Sequence, residues 1–180
     1  MIYIKTVIRR YWLPVAIIAI LSIIIVGCVN WRTPTTVVLL VRHAEKAEAH
    51  GDNPPLSAAG QVRAQELIHV AGETGVAGIY ATQFLRTQQT VQPLAAHLGI
   101  SITQVNSDDV DGLIKQIWRD HPGQVVFIVG HSNTVPLIIE KLGGGKIAPI
   151  AEDKFDNLFI VTIPRIGREK TVHLKYGNPS

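Results

Sequence analysis

The sequence predicts an α/β fold: a three-layer α/β/α sandwich with a mostly parallel central sheet. Three observations carry that expectation. Two apolar runs, Val37-Val38-Leu39-Leu40-Val41 and Val125-Val126-Phe127-Ile128-Val129, have the length and composition of strands buried on both faces. Segments with apolar residues at helical spacing separate these and the other strand-like runs, as crossovers between parallel strands require. The chain of 180 residues is 47% hydrophobic and 17% charged. That suffices for one domain with a sizeable core and excludes a disordered polymer.

The elements follow in order. After the first strand, Gly51-Asp52-Asn53-Pro54-Pro55 is a turn-rich segment. Ser57 has the character of an N-cap, and Ala64, Leu67, Ile68 and Ala71 follow at helical spacing. Gly78-Ile79-Tyr80-Ala81 reads as a short strand. Val91, Leu94, Ala95 and Leu98 mark a second helix, which Pro93 is expected to bend or to start late. Ile102 to Val105 reads as an edge strand. Val110, Leu113, Ile114 and Ile117 give a third helix that ends near His121-Pro122-Gly123, with Trp118 expected in the core. Val135, Ile138, Ile139 and Leu142 form a fourth helix, stopped by Gly143-Gly144-Gly145. Leu158 to Ile163 and Thr171 to Tyr176 read as two strands joined by a turn, an antiparallel edge of the sheet.

Residues 1–28 stand apart from this pattern. Lys5, Arg9 and Arg10 precede an uncharged, mostly apolar stretch from Tyr11 to Val26. Its 16 residues fall between a signal-peptide core (about 7–15) and a spanning helix (about 17–25). Ile25-Val26-Gly27-Cys28 then resembles the lipobox of bacterial lipoproteins, in which the cysteine is lipidated. The expectation is a lipoprotein signal peptide, with an uncleaved membrane anchor as the alternative, over residues 1–28. A linker at 29–35 and a domain at 36–180 complete the division. The positive flank places the domain outside the cytoplasm in either case. No Asp or Glu precedes Cys28, so beyond it 14 basic residues balance 14 acidic ones. A neutral domain offers no footprint for nucleic acid. Cys28 is the one cysteine, which excludes an intrachain disulfide.

The chemistry concentrates where strands end. The first strand empties into Arg42-His43-Ala44-Glu45-Lys46, and the strand 125–129 into Gly130-His131-Ser132-Asn133-Thr134. Parallel strands present their C-terminal ends along one sheet edge, so both histidines are expected at one crevice. Arg86, near a helix start after the strand 78–81, belongs to the same edge. Two arginines, two histidines and nearby helix N-termini suit a doubly charged anion such as a phosphoryl group. Ser132 and Asn133 are candidate substrate contacts or caps for the helix after His131. The remaining histidines, at 50, 69, 97, 121 and 173, sit in turns, helices or a late strand with no such company.

Four segments together resemble a known family. Arg42-His43-Ala44-Glu45 resembles the R-H-G/A-E signature of the histidine phosphatase (phosphoglycerate-mutase-like) superfamily. Leu56-Ser57-Ala58-Ala59-Gly60-Gln61 is similar to its L-S/T-x-x-G segment. Tyr80-Ala81-Thr82 with Arg86-Thr87-Gln88-Gln89-Thr90 matches its second-arginine motif, and Gly130-His131-Ser132-Asn133 its second-histidine motif. The four lie in the family's order and span roughly residues 36–142. The resemblance implies a phosphoglycerate-mutase-like fold and a phosphomonoesterase. In it, neutral His43 attacks phosphorus to form a phosphohistidine, and Arg42, Arg86 and His131 hold the phosphoryl oxygens. It implies neither cofactor nor metal, and its substrates are phosphorylated small molecules or phosphoproteins.

The acid that protonates the leaving group is not singled out by spacing. Glu45, Asp108, Asp109 and Asp111 are the candidates, and Lys46 stands at the expected pocket rim. Alternatives to the hydrolase are a phosphomutase of the same family and an anchored anion-binding module without catalysis. A metal-dependent hydrolase using His43, Glu45 and His131 lacks a compact ligand motif such as H-E-x-x-H.

Overall fold

The first strand lies inside the sheet and feeds two cores at once. In the computed structural model, which describes residues 15–22, 34–48 and 51–180, the chain divides into two units, Met1–Thr33 and Pro34–Ser180. Of the first unit only a helical segment, α1 (residues 15–22), is described. Among the described residues no helix is long and apolar enough to cross a membrane. Cys28, Trp31 and His50 lie outside the described residues.

The second unit contains β1 (Thr36–Arg42), α2 (Ala58–Ala71), β2 (Val76–Thr82), α3 (Leu85–Leu98) and β3 (Ile102–Val105). It continues with α4 (Val110–Asp120), β4 (Val125–Gly130), α5 (Thr134–Lys141), β5 (Asn157–Ile163) and β6 (Lys170–Lys175). The six strands form one sheet in the order β3-β2-β4-β1-β5-β6. β1, β2, β3 and β4 run parallel, and β5 and β6 are antiparallel additions.

Period-two alternation sorts the strand side chains between two layers of helices. Val38, Leu40, Val126, Ile128 and Phe159 pack with Leu113 and Ile117 of α4 and Ile138 and Ile139 of α5. Leu39, Val41, Phe127 and Val129 pack on the other face with Leu67 of α2 and Val91, Leu94 and Ala95 of α3. This is the three-layer sandwich the sequence predicts. Each fully buried aliphatic side chain contributes about 1.5–3 kcal/mol, which explains why strands without polar alternation are stable here.

Two local expectations are corrected. Pro93 does not delay the start of its helix, because α3 runs from Leu85 to Leu98 with the proline inside. Val91 and Leu94, on either side of it, are fully buried against the sheet, and that packing offsets the missing backbone bond. Trp118 is not a core residue; it is 42% exposed. The buried stripe of α4 runs through Val110, Leu113 and Ile117, and the next position turns about 100° away from it.

Three helix starts are secured by side chains, one of them distant in sequence. Ser57 caps α2 by accepting from Gly60 N at 3.1 Å, and Asp109 caps α4 through Gly112 N at 2.8 Å. α3 has no cap of its own; Asn53, from the turn-rich segment, accepts from Leu85 N at 2.8 Å.

Candidate active site

β1 and β4 are neighbours in parallel register, with Arg42 opposite Gly130. The next residue on each strand is therefore a histidine, and the two rings meet edge to face with centroids 5.4 Å apart. One further ladder bond, His43 N to Gly130 O at 3.0 Å, fixes the exit of β1. Gly130 has no side chain for a physical reason. A methyl there would lie 2.8 Å from Thr134 Oγ1, the atom that accepts from His131 N at 2.9 Å. A side chain at 130 would therefore press on Thr134 and disturb that bond.

Beyond His43 the chain is laced into the fold. Ala44 is fully buried, and its N–H donates to Thr90 Oγ1 at 2.9 Å. Ser57 N donates to Glu45 O at 2.8 Å, and Lys46 bridges Leu56. Gly60, in the first turn of α2, lies so close that an added methyl would sit 2.2 Å from Glu45 O. The glycine of the Leu56–Gly60 segment therefore serves close backbone approach rather than an unusual dihedral.

A cleft of about 290 Å³ opens at this edge, lined by Arg42, His43, Lys46, Phe84, Arg86, Ser107, Asp108, His131, Ser132, Asn133, Thr134 and Glu152. Two phenylalanines bracket the charged groups. Phe84 has the Arg86 guanidinium 4.3 Å above its ring and meets His131 edge-on at 5.3 Å. Phe155 has Arg42 at 4.4 Å and His43 at 6.1 Å. Such contacts hold a guanidinium in place without neutralising it.

Both histidines are neutral near neutral pH. Burial, with the charges of His131, Arg42 and Arg86 beside it, pushes His43 down to about 3 against the opposing hydrogen bond to Ala44. Burial, then Arg86 and Arg42, pushes His131 down to about 4. Their tautomers follow from their partners. His43 Nδ1 is 2.8 Å from the Ala44 carbonyl, which can only accept, so Nδ1 carries the proton and Nε2 the free lone pair. Thr87 Oγ1 commits its proton to the carbonyls of Phe84 and Thr82 at 2.7 and 3.0 Å. It therefore accepts from Thr82 Oγ1 at 2.9 Å, and Thr82 accepts from His131 Nε2–H at 3.0 Å. His131 is left open at Nδ1.

Arg42 is held from three sides yet is not saturated. Its Nη1 donates to the carbonyls of Ala151, Glu152 and Lys154 at 2.8 to 3.3 Å, and its Nη2 to the Glu152 carboxylate at 2.8 Å. Its buried Nε has no partner among the described residues. A buried donor without an acceptor, on the wall of a cationic cleft, is an observation that a ligand oxygen would resolve.

The acidic candidates separate by position. Asp108 lines the cleft. Glu45 does not; both its oxygens are taken by Arg63 at 2.7 to 3.0 Å. Burial, the largest influence, would raise its titration, yet the hydrogen bonds and charge of Arg63 hold it below the usual carboxylate range. Asp109 caps α4, and Asp111 pairs with Lys141 at 2.7 Å, and neither lines the cleft. With Glu45 bound to Arg63, the trio His43, Glu45 and His131 does not form a ligand set, and no group of metal-binding type occurs among the described residues. Ser132 and Asn133 line the cleft but do not cap α5: Asn133 makes no side-chain cap bond, and Ser132 Oγ donates to Glu152. Outside the cleft, His173 stacks on Phe159 at 4.4 Å.

Glu152, Phe155, Phe84 and Thr82 were not singled out as site residues from sequence. Phe84 and Thr82 flank or belong to the second-arginine segment, which is the signal that could have found them. Glu152 and Phe155 lie in a loop with no spacing cue.

The chain is similar to known proteins in part of its sequence and in its fold. Residues 38–109 match the sequence model of the Histidine phosphatase superfamily (branch 1). Among solved structures, the protein histidine phosphatase SixA complexed with tungstate is 16% identical, with a TM-score of 0.61 over 77% of this chain and 96% of that one. A mycobacterial glucosyl-3-phosphoglycerate phosphatase is 12% identical, with a TM-score of 0.58 over 79% of this chain and 100% of that one. At such identities the structural likeness speaks for the fold.

Proposed function

We propose, for a chain whose residues 38–109 match the histidine phosphatase superfamily, a phosphomonoester hydrolase that works through a phosphohistidine on His43. The observation that carries this reading is the state of His43. It is neutral, with its proton committed to the Ala44 carbonyl and its Nε2 lone pair left over, on the wall of a cleft shared with Arg42 and Arg86. Nε2 forms a bond to phosphorus as the ester P–O bond breaks. Arg86, the unpartnered Nε–H of Arg42, and His131 neutralise the phosphoryl oxygens. His131, open at Nδ1, takes the proton of a monoanionic ester. Asp108 donates a proton to the leaving oxygen and recovers one from the water that then cleaves the phosphohistidine. The products are an alcohol and inorganic phosphate. Phosphorylated small molecules and phosphoproteins both fit this chemistry.

The test is hydrolysis of p-nitrophenyl phosphate with chelator present, beside His43→Ala. Chelator-resistant turnover, a phosphohistidine trapped by acid-free quenching, and loss of both in the variant are expected. Phosphate binding without turnover would replace the enzyme by an anion-binding module, and sensitivity to chelator would overturn the histidine mechanism. Asp108→Asn should slow alkyl phosphates by about 100-fold and leave the aryl ester, whose leaving group needs no proton, much less affected.

We further infer, on the sequence of residues 1–28, a lipoprotein that presents residues 36–180 on the extracytoplasmic side of a membrane. Lys5, Arg9 and Arg10, the apolar stretch after them and the lipobox-like Ile25-Val26-Gly27-Cys28 support it. Mass spectrometry of the mature N-terminus should find a lipid on Cys28 that Cys28→Ser removes. An unmodified Cys28 in membrane fractions would favour an uncleaved anchor.

A further inference from the structure

Glu152 sits in the loop between α5 and β5 and is, with Asp108, one of two acids on the cleft wall. Both of its oxygens are engaged there. Oε2 accepts from Arg42 Nη2 and Oε1 from Ser132 Oγ, each at 2.8 Å. The side chain is nonetheless 81% exposed, so its charge faces whatever occupies the cleft mouth. Its hydrogen bond from Ser132, reinforced by the charge of Arg42, holds it below the ordinary carboxylate range. Glu152 is thus a fixed negative charge at neutral pH and a poor proton donor.

That charge has a consequence for substrate choice. The cleft sets Arg42, Lys46 and Arg86 against Asp108 and Glu152, with both histidines neutral. A phosphoryl group seated against Arg42 and Arg86 consumes the positive balance. What remains to meet the leaving group includes the Glu152 carboxylate, which keeps its charge while Asp108 carries the proton for the leaving oxygen. We propose that Glu152 is a specificity-determining residue that favours phosphomonoesters with a neutral or cationic leaving group over those carrying a second anionic group. A unit charge of like sign at the mouth of an open cleft, in its intermediate dielectric, changes affinity by about tenfold. The inference rests on the phosphatase reading above.

The test uses two esters of equal length, O-phosphoethanolamine and 2-phosphoglycolate, as competitors of p-nitrophenyl phosphate hydrolysis by the full chain. The readout is the ratio of their two competition constants, which is insensitive to the fraction of active enzyme and to any common effect through Arg42. The wild type should prefer O-phosphoethanolamine. In Glu152→Gln the preference should fall by about tenfold, and Glu152→Asp should retain most of it. Raising ionic strength should narrow the wild-type preference toward that of Glu152→Gln. An unchanged ratio in Glu152→Gln, or competition by neither ester, would overturn the inference while leaving the phosphatase reading intact. A lower p-nitrophenyl phosphate turnover in Glu152→Gln, through the lost bond to Arg42, leaves the ratio as the deciding quantity; with turnover lost outright, the same ratio is read from displacement of bound inorganic phosphate by the two esters. A wild type that does not hydrolyse p-nitrophenyl phosphate would remove the phosphatase reading itself.

Discussion

Arg63 grips the Glu45 carboxylate with Nε and Nη2 at 2.7 to 3.0 Å while donating to the carbonyls of Tyr176 and Asn178 at 3.1 and 2.9 Å. One buried guanidinium thereby ties the segment after His43 to α2 and to the chain beyond β6. Removing it strands a partly buried carboxylate and two carbonyls. Arg63→Met should lower unfolding stability by about 3 kcal/mol in urea titrations. Glu45→Gln, which leaves a hydrogen-bonding partner for Arg63, should cost less.

Gly60 should behave against the usual helix rule. Replacing a helical glycine by alanine ordinarily stabilises by roughly 0.5–1 kcal/mol. Here the new methyl would stand 2.2 Å from Glu45 O, a backbone atom that cannot turn aside. Gly60→Ala should therefore destabilise by about 2 kcal/mol, read as a lower melting temperature. A rise in melting temperature would contradict the close approach of α2 to residue 45.

Stability should fall on acidification because of the two site histidines. Both titrate far below the ordinary value near 6.5, His43 at about 3 and His131 at about 4, chiefly through burial. Between those values and 6.5 the unfolded chain binds more protons than the folded one, so stability declines as pH drops through that window. The loss at pH 5 is on the order of 2 kcal/mol per histidine. Urea titrations at pH 7 and pH 5 should show it, and His43→Gln combined with His131→Gln should shrink the difference.

Thr82 should matter through the proton it receives rather than through packing. Its hydroxyl stands between His131 Nε2 at 3.0 Å and Thr87 Oγ1 at 2.9 Å, and so sets the His131 tautomer. Thr82→Val keeps the shape and removes the acceptor. kcat/KM for an aryl phosphate should drop about tenfold, and Thr82→Ser should restore it. Equal activity in all three proteins would dissociate the tautomer from turnover.

The elements that sequence reveals well are those whose pattern is local. Val37–Val41 and Val125–Val129 declare buried strands because every residue is apolar, and the Ser57 cap lies three residues from the amide it serves. The exposure of Trp118 and the early start of the helix around Pro93 depend on packing against the sheet, which no local rule contains. The cap of α3 by Asn53 joins positions 32 residues apart.

The sequence by itself determined the α/β alternation, the two histidines and two arginines at strand ends and helix starts, and the small residues at 44, 60 and 130. Each is a demand of local geometry or charge. Only the tertiary structure decided which acids share the cleft. β5 runs antiparallel to β1, with Leu158 opposite Val41, so its incoming loop arrives at the edge where β1 ends. That reversal delivers Glu152 and Phe155 to Arg42 from more than 100 residues away, while Arg63 draws Glu45 into its own buried pair. A carboxylate's role follows from the cation it meets, and the meeting is set by strand order and direction.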